Sequence, residues 1–164
     1  MKEIIEKITK WAEDRNLIKG STPIKQGLKL MSEYGELCDA VAKHDLEEIK
    51  DAIGDIGVVM CIISEQYNHS TAEDASIGAR KTSELDYSVV ALADVLSGVV
   101  LNDRLAIDGW FLLTSIAQAF DFSLEQCLEH AYNEIKDRRG VMFDGVFIKD
   151  TDSSYQQALA EVQR

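Results

Sequence analysis

A single proline, Pro23, occurs in 164 residues. Proline interrupts helices, so its near absence leaves long stretches free to be helical. Cysteine is also scarce. Cys38, Cys61 and Cys127 are odd in number, widely spaced and set among apolar residues, which predicts reduced core thiols rather than a disulfide framework or a zinc site. Positive charge is outweighed, with 17 Lys and Arg against 29 Asp and Glu and a net charge of −12. A partner such as a DNA or RNA backbone needs a basic surface, so nucleic-acid polymers are excluded. No stretch reaches the roughly 18 apolar residues that span a bilayer. The opening MKEIIEKITKWAEDR is amphipathic and charged, unlike a signal peptide, so the expectation is a cytoplasmic protein. There is no Walker-type glycine loop. Histidine is limited to His44, His69 and His130. The residues three before them are Val41, Gln66 and Cys127, so the Glu-x-x-His motif of di-iron bundles is missing. A His-Asp phosphohydrolase would need more histidines than these.

What is present suits one all-α domain, since 46% hydrophobic and 28% charged residues can build a core at this length. Helical spacing of Ile4, Ile5, Ile8 and Trp11 predicts a helix over 2–16. Ser21 or Thr22 can cap a second helix, with Pro23 in its first turn, running to about 43. Its apolar stripe reads as Leu28, Met31, Leu37 and Val41. Asp45 caps a third helix over 46–67, whose stripe of Ile49, Ile53, Ile56, Val59, Met60 and Ile63 predicts a central core element. Residues 68–83 are polar and read as loop, with a short helix as the alternative. Further helices are expected over 84–101, 108–120 and 123–139, the last opened by the Ser123 and Gln126 capping-box pair. Val141–Phe143 and Val146–Ile148 flank Asp144-Gly145, the signature of a small β-hairpin. The expected architecture is a bundle of about five to six helices with a C-terminal hairpin, a domain over 1–150, and a polar tail over 151–164 with a short helix near 153–163.

The chemistry concentrates in Glu33-Tyr34-Gly35-Glu36 and in Glu48-Ile49-Lys50-Asp51-Ala52-Ile53-Gly54-Asp55. Glu33 and Glu36, three apart, leave one face of their helix, as do Asp51 and Asp55, four apart, on the next. A turn near 44–45 makes the helices antiparallel, so the acidic pairs can face one another. Like charges gathered in a partly buried space repel without a cation, and all-oxygen donors suit Mg²⁺ or Mn²⁺. Asp55 sits within the apolar run AIGDIGVVM, where an unpartnered carboxylate would be costly. Gly35 and Gly54 each cost a helix about 1 kcal/mol relative to alanine, which a close helix approach would justify.

EYGEL followed by DAIGDIGVVM resembles the MazG-like members of the all-α NTP pyrophosphatase superfamily, whose hallmark is Glu-x-x-Glu on one helix and Glu-x-x-Asp on the next. The resemblance extends to Trp11 with Arg15, to Lys25-Gln26-x-x-Lys29, and to AYNEIKDRRG at 131–140, similar to the family's Asn-x-x-Lys-x-x-Arg helix. It covers residues 1–67 and about 110–149, with 70–108 reading as a helical insertion. Where the family's second pair begins with glutamate this chain has Ala52. Asp51 is the natural substitute, and Glu48 is a reserve ligand.

The resemblance implies Mg²⁺-dependent hydrolysis of a (deoxy)nucleoside triphosphate to the monophosphate and pyrophosphate, in the house-cleaning of nucleotide pools. It implies two or three metal ions on Glu33, Glu36, Asp51 and Asp55, with Glu33 or Glu36 as general base. Lys29, one turn before Glu33, projects beside that face. Asn133, Lys136 and Arg139 (or Arg138), at spacing three, would hold phosphate oxygens. Trp11 and Gln26 would stack on and hydrogen-bond the base. A homodimer or homotetramer is the implied assembly. The alternative is a helical nucleotide-binding or interaction module without hydrolysis.

Overall fold

Eight helices and one hairpin follow in chain order in the computed structural model, which describes residues 1–69, 71–75, 78, 81–102 and 106–163. The helices are α1 (Lys2–Asp14), α2 (Pro23–Lys43), α3 (Leu46–Gln66), the single-turn α4 (Thr71–Asp74), α5 (Leu85–Asn102), α6 (Ala106–Ala119), α7 (Leu124–Ile135) and α8 (Tyr155–Val162). Strands β1 (Gly140–Phe143) and β2 (Val146–Lys149) lie between α7 and α8. The all-α reading with a C-terminal hairpin holds. Parts of the expected 68–83 loop, residues 70, 76, 77, 79 and 80, lie outside the described residues.

Local chemistry sets the boundaries. Thr22 accepts a hydrogen bond from the Lys25 amide, and Pro23 fills the first turn of α2, where its missing N–H costs nothing. His44 ends that helix in the left-handed conformation at φ 55°, and the Asp45 carboxylate accepts from the Glu48 amide to start α3. Two long helices joined by so short a turn pack antiparallel. Ser123 and Gln126 complete their capping box. Asp144 and Gly145 take φ of 49° and 77°, the pair of positive angles that a two-residue hairpin turn requires.

α3 is the central element. Ile49, Ile53, Ile56, Met60 and Ile63 are fully buried, among α1, α2, α6 and α7. The segment expected as an insertion contributes to this core: α5 packs on α2 and α6, burying Val89, Leu92, Leu96 and Val99. Tyr34 Oη donates to the Val89 carbonyl at 3.0 Å across that contact.

Two expectations need correction. The α2 stripe is rotated: Leu30, Leu37 and Ala40 face inward together with Gln26 and Glu33, whereas Leu28 is 74% exposed and Met31 37%. The two glycines also differ. A Cβ at Gly54 would collide with the Cys127 carbonyl and lie 2.8 Å from the Ala131 Cβ, so α3 and α7 approach as closely as glycine permits. Gly35 faces open space, with nothing within 4 Å of a Cβ there, and close approach does not explain it.

Candidate functional site

Between α1, α2, α3 and the hairpin lies a cavity of about 630 Å³. Of the predicted site residues, Trp11, Gln26, Lys29, Glu33, Asp55 and Arg139 line it, as does Arg138. The antiparallel packing of α2 on α3 sets Glu33 level with Asp55 and, one turn away, Glu36 level with Asp51. These pairings are reflected in the electrostatics, where Glu33 acts on Asp55 and Glu36 on Asp51.

Glu33 is 1% exposed, an extreme position for a carboxylate. The Lys29 ammonium forms an ion pair with its Oε1 one turn away, and no hydrogen bond from a described residue reaches Oε2. Burial works against the charge on Lys29, but the hydrogen bond and charge of Glu33, followed by the charges of Asp55 and Glu36, hold its pKa above the ordinary value. Asp55 is pushed up to about 7, first by burial and then by the charges of Glu33 and Asp51, with Lys29 and Arg138 opposing. Asp51, half-buried, is also raised, by burial and by Glu134, while His130 opposes with its Nε2 3.6 Å away. Ala52, the position of the family departure, is 3% exposed within the core and offers no ligand.

The remaining predicted residues divide. Glu36 and Glu48 are exposed, and neither they nor Asp51 line the cavity. Among the described residues no three His, Cys, Asp or Glu side chains gather as a ready-made metal cluster. The basic run at 133–139 is not one helical face, because α7 stops at Ile135. Asn133 Oδ1 accepts from Lys136 Nζ at 2.8 Å, and Lys136 lies against a separate surface depression beside α1. Arg138 and Arg139, beyond the helix, turn to the cavity.

Arg15 causes that change of direction. Its Nε donates to the Arg138 carbonyl at 2.7 Å, and its terminal nitrogens donate to the carbonyls of Lys136 at 3.1 Å and Trp11 at 3.2 Å. The same guanidinium lies 4.9 Å over the Trp11 ring, whose Nε1 donates to the Ile135 carbonyl at 2.9 Å. Trp11 is therefore a core residue as well as a wall of the cavity.

The sequence did not place the hairpin at the site. Met142, Phe147, Lys149 and the following Asp150 and Thr151 complete the cavity wall, and Lys25 joins them. Lys25 Nζ contacts both the backbone and side-chain oxygens of Asp144, tying α2 to the hairpin turn. The lining thus carries Lys25, Lys29, Arg138, Arg139 and Lys149 against Glu33, Asp55 and Asp150. A local excess of cations in a chain of charge −12 marks this cavity as suited to an anion.

The chain is 55% identical over 69 residues to the uncharacterized 18.2 kDa protein in the rep-hol intergenic region of Haemophilus phage HP1 (strain HP1c1). The match spans 42% of each chain, so less than half of that relative's length is covered. No protein-family model matches the chain, and no solved structure matches it.

Proposed function

We propose that the chain is a Mg²⁺-dependent nucleoside triphosphate pyrophosphohydrolase whose acidic end is the Glu33–Asp55 rung. The observation that carries this reading is Glu33 itself: a fully buried carboxylate with one oxygen lacking a donor among the described residues, beside a second carboxylate that repels it. Such a pair is costly unless a cation completes it. All-oxygen donors fit Mg²⁺, and Mn²⁺ shares the preference. Glu33 and Asp55 would hold the metal, with Glu36 and Asp51 one turn away completing the set and Glu48 in reserve. When bound, Mg²⁺ supplies charge that grips the triphosphate and acidifies the attacking water.

The chain's own residues do the rest. Lys29, Arg138, Arg139 and Lys149 bind phosphate oxygens. Glu33, as the buried member, accepts the proton of the water that attacks the α-phosphorus. The bond to the bridging oxygen breaks, and pyrophosphate leaves with the electron pair. Burial of Glu33 keeps its carboxylate from bulk water, which strengthens each of these interactions.

The test is pyrophosphate release from a panel of ribo- and deoxynucleoside triphosphates with Mg²⁺, repeated in EDTA and with Glu33→Gln and Glu36→Gln. Loss of about 100-fold or more is expected in EDTA and in Glu33→Gln. A wild-type rate in Glu33→Gln refutes the site. The outward position of Glu36 favours one second reading, a nucleotide-binding protein without turnover, which would show affinity and no pyrophosphate.

The assembly we propose is a homodimer or homotetramer in contact through α2. Ile24, Leu28 and Met31 recur at helical spacing on its outer face, all exposed. Among the described residues no helix is long and apolar enough to cross a membrane.

A further inference from the structure

The cavity's other end is chemically unlike its acidic end. Seven residues separate Glu33 from Gln26 on α2 and Asp55 from Ile62 on α3, about 10 Å at 1.5 Å per residue. At that distance Gln26 is 5% exposed and lines the cavity. Its amide offers one acceptor and two donors side by side to the cavity.

The hairpin supplies the facing chemistry. Met142 and Phe147 are cross-strand partners, so they share one face of the hairpin, and Lys149, two residues on, shares it too. All three line the cavity. The Phe147 ring lies close over Gly140, where a Cβ would come within 2.6 Å of its Cζ. The hairpin is fixed as a whole. The Met142 amide donates to the Arg15 carbonyl at 2.8 Å, Asn16 Nδ2 donates to the Met142 carbonyl at 2.9 Å, and the Gly145 amide donates to the Gly20 carbonyl at 2.7 Å. Of the two aromatic rings in the cavity wall, Trp11 has its N–H engaged and a cation over its ring, whereas Phe147 has neither constraint.

We propose that the hairpin reads the nucleobase: Phe147 stacks on it, Met142 packs against it, and the Gln26 amide pairs with a heterocycle edge that presents a donor beside an acceptor. This assigns specificity to the hairpin face and leaves Trp11 as its backing. The inference rests on the nucleotide reading above.

The experiment compares the full chain with Phe147→Leu, which keeps apolar volume, and Gln26→Leu, each first checked for wild-type thermal unfolding. It measures kcat and KM over the triphosphate panel and, separately, the calorimetric affinity for inorganic tripolyphosphate and for nucleoside monophosphates. Phe147→Leu is expected to raise KM for nucleotides about tenfold, the scale of one lost base stack, with kcat and tripolyphosphate affinity unchanged. Gln26→Leu is expected to alter the ranking of bases. An unchanged KM in Phe147→Leu, or a parallel loss of tripolyphosphate affinity, overturns the proposal. If the wild type binds monophosphates in a Phe147-dependent way but releases no pyrophosphate, the hairpin role stands and the hydrolase reading falls. If it binds no nucleotide, both fall.

Discussion

Replacing Asp55 with asparagine should stabilise the metal-free protein, and more so as pH rises. The Asp55 carboxyl is pushed from 3.8 up to about 7 by burial and by Glu33 and Asp51. A raised folded pKa means the native state binds more protons than the unfolded chain between these two values, so stability falls as pH rises through that window and the penalty is complete above about 7. At about 1.4 kcal/mol per pH unit the full window is worth about 4 kcal/mol, and about half of that once solvent in the cavity screens the charge. From pH 5 to pH 8 about two thirds of the window is crossed, leaving about 1.5 kcal/mol, or about 3–6 °C in Tm for a chain of this size. The assay is thermal unfolding of wild type and Asp55→Asn in EDTA at several pH values. The variant should gain on the wild type steadily with pH, while saturating Mg²⁺ should raise the wild-type Tm and leave the variant unmoved. A Tm difference that stays flat from pH 5 to pH 8, or moves the other way, refutes the reasoning.

Gly54→Ala drives a methyl into the Cys127 carbonyl and the Ala131 Cβ, so it should cost about 1–3 kcal/mol, read as a lowered denaturant midpoint. Gly35→Ala, with open space around it, should instead stabilise α2 by about 1 kcal/mol. Leu28→Glu on the exposed face of α2 should shift the chain to monomer in light scattering without loss of fold. Arg15→Ala removes three hydrogen bonds to main-chain carbonyls and should cost about 1–3 kcal/mol, visible as faster amide exchange at the end of α7.

Most helix limits were legible because they rest on local chemistry. Thr22-Pro23, Asp45, the Ser123–Gln126 box and Asp144-Gly145 each act within a few residues of themselves. The inward face of α2 was not legible. That helix carries apolar residues on two sides, Leu30 and Leu37 on one and Ile24, Leu28 and Met31 on another, and periodicity alone does not say which side meets α3. The polar pair Gln26 and Glu33 goes inward with the first set, against their ordinary preference, and both end in the cavity. The spacing of Asn133, Lys136 and Arg139 suggested a continuous helical face, but a contact from Arg15, more than a hundred residues away, decides where that helix stops being useful. The hairpin itself was predicted. Its docking depends on bonds from Arg15, Asn16 and Gly20, which no local pattern encodes. Of the expected acidic set only Glu33 and Asp55 line the cavity, since one helical turn carries Glu36 toward solvent.

Arg15 holds the segment after α7 by its backbone oxygens alone. Nothing in that grip depends on which side chains occupy 136, 138 or 139. The path of the chain and the identity of the cations it presents are therefore separable, and the charge pattern at the cavity rim is open to exchange while the framework beneath it stays as it is.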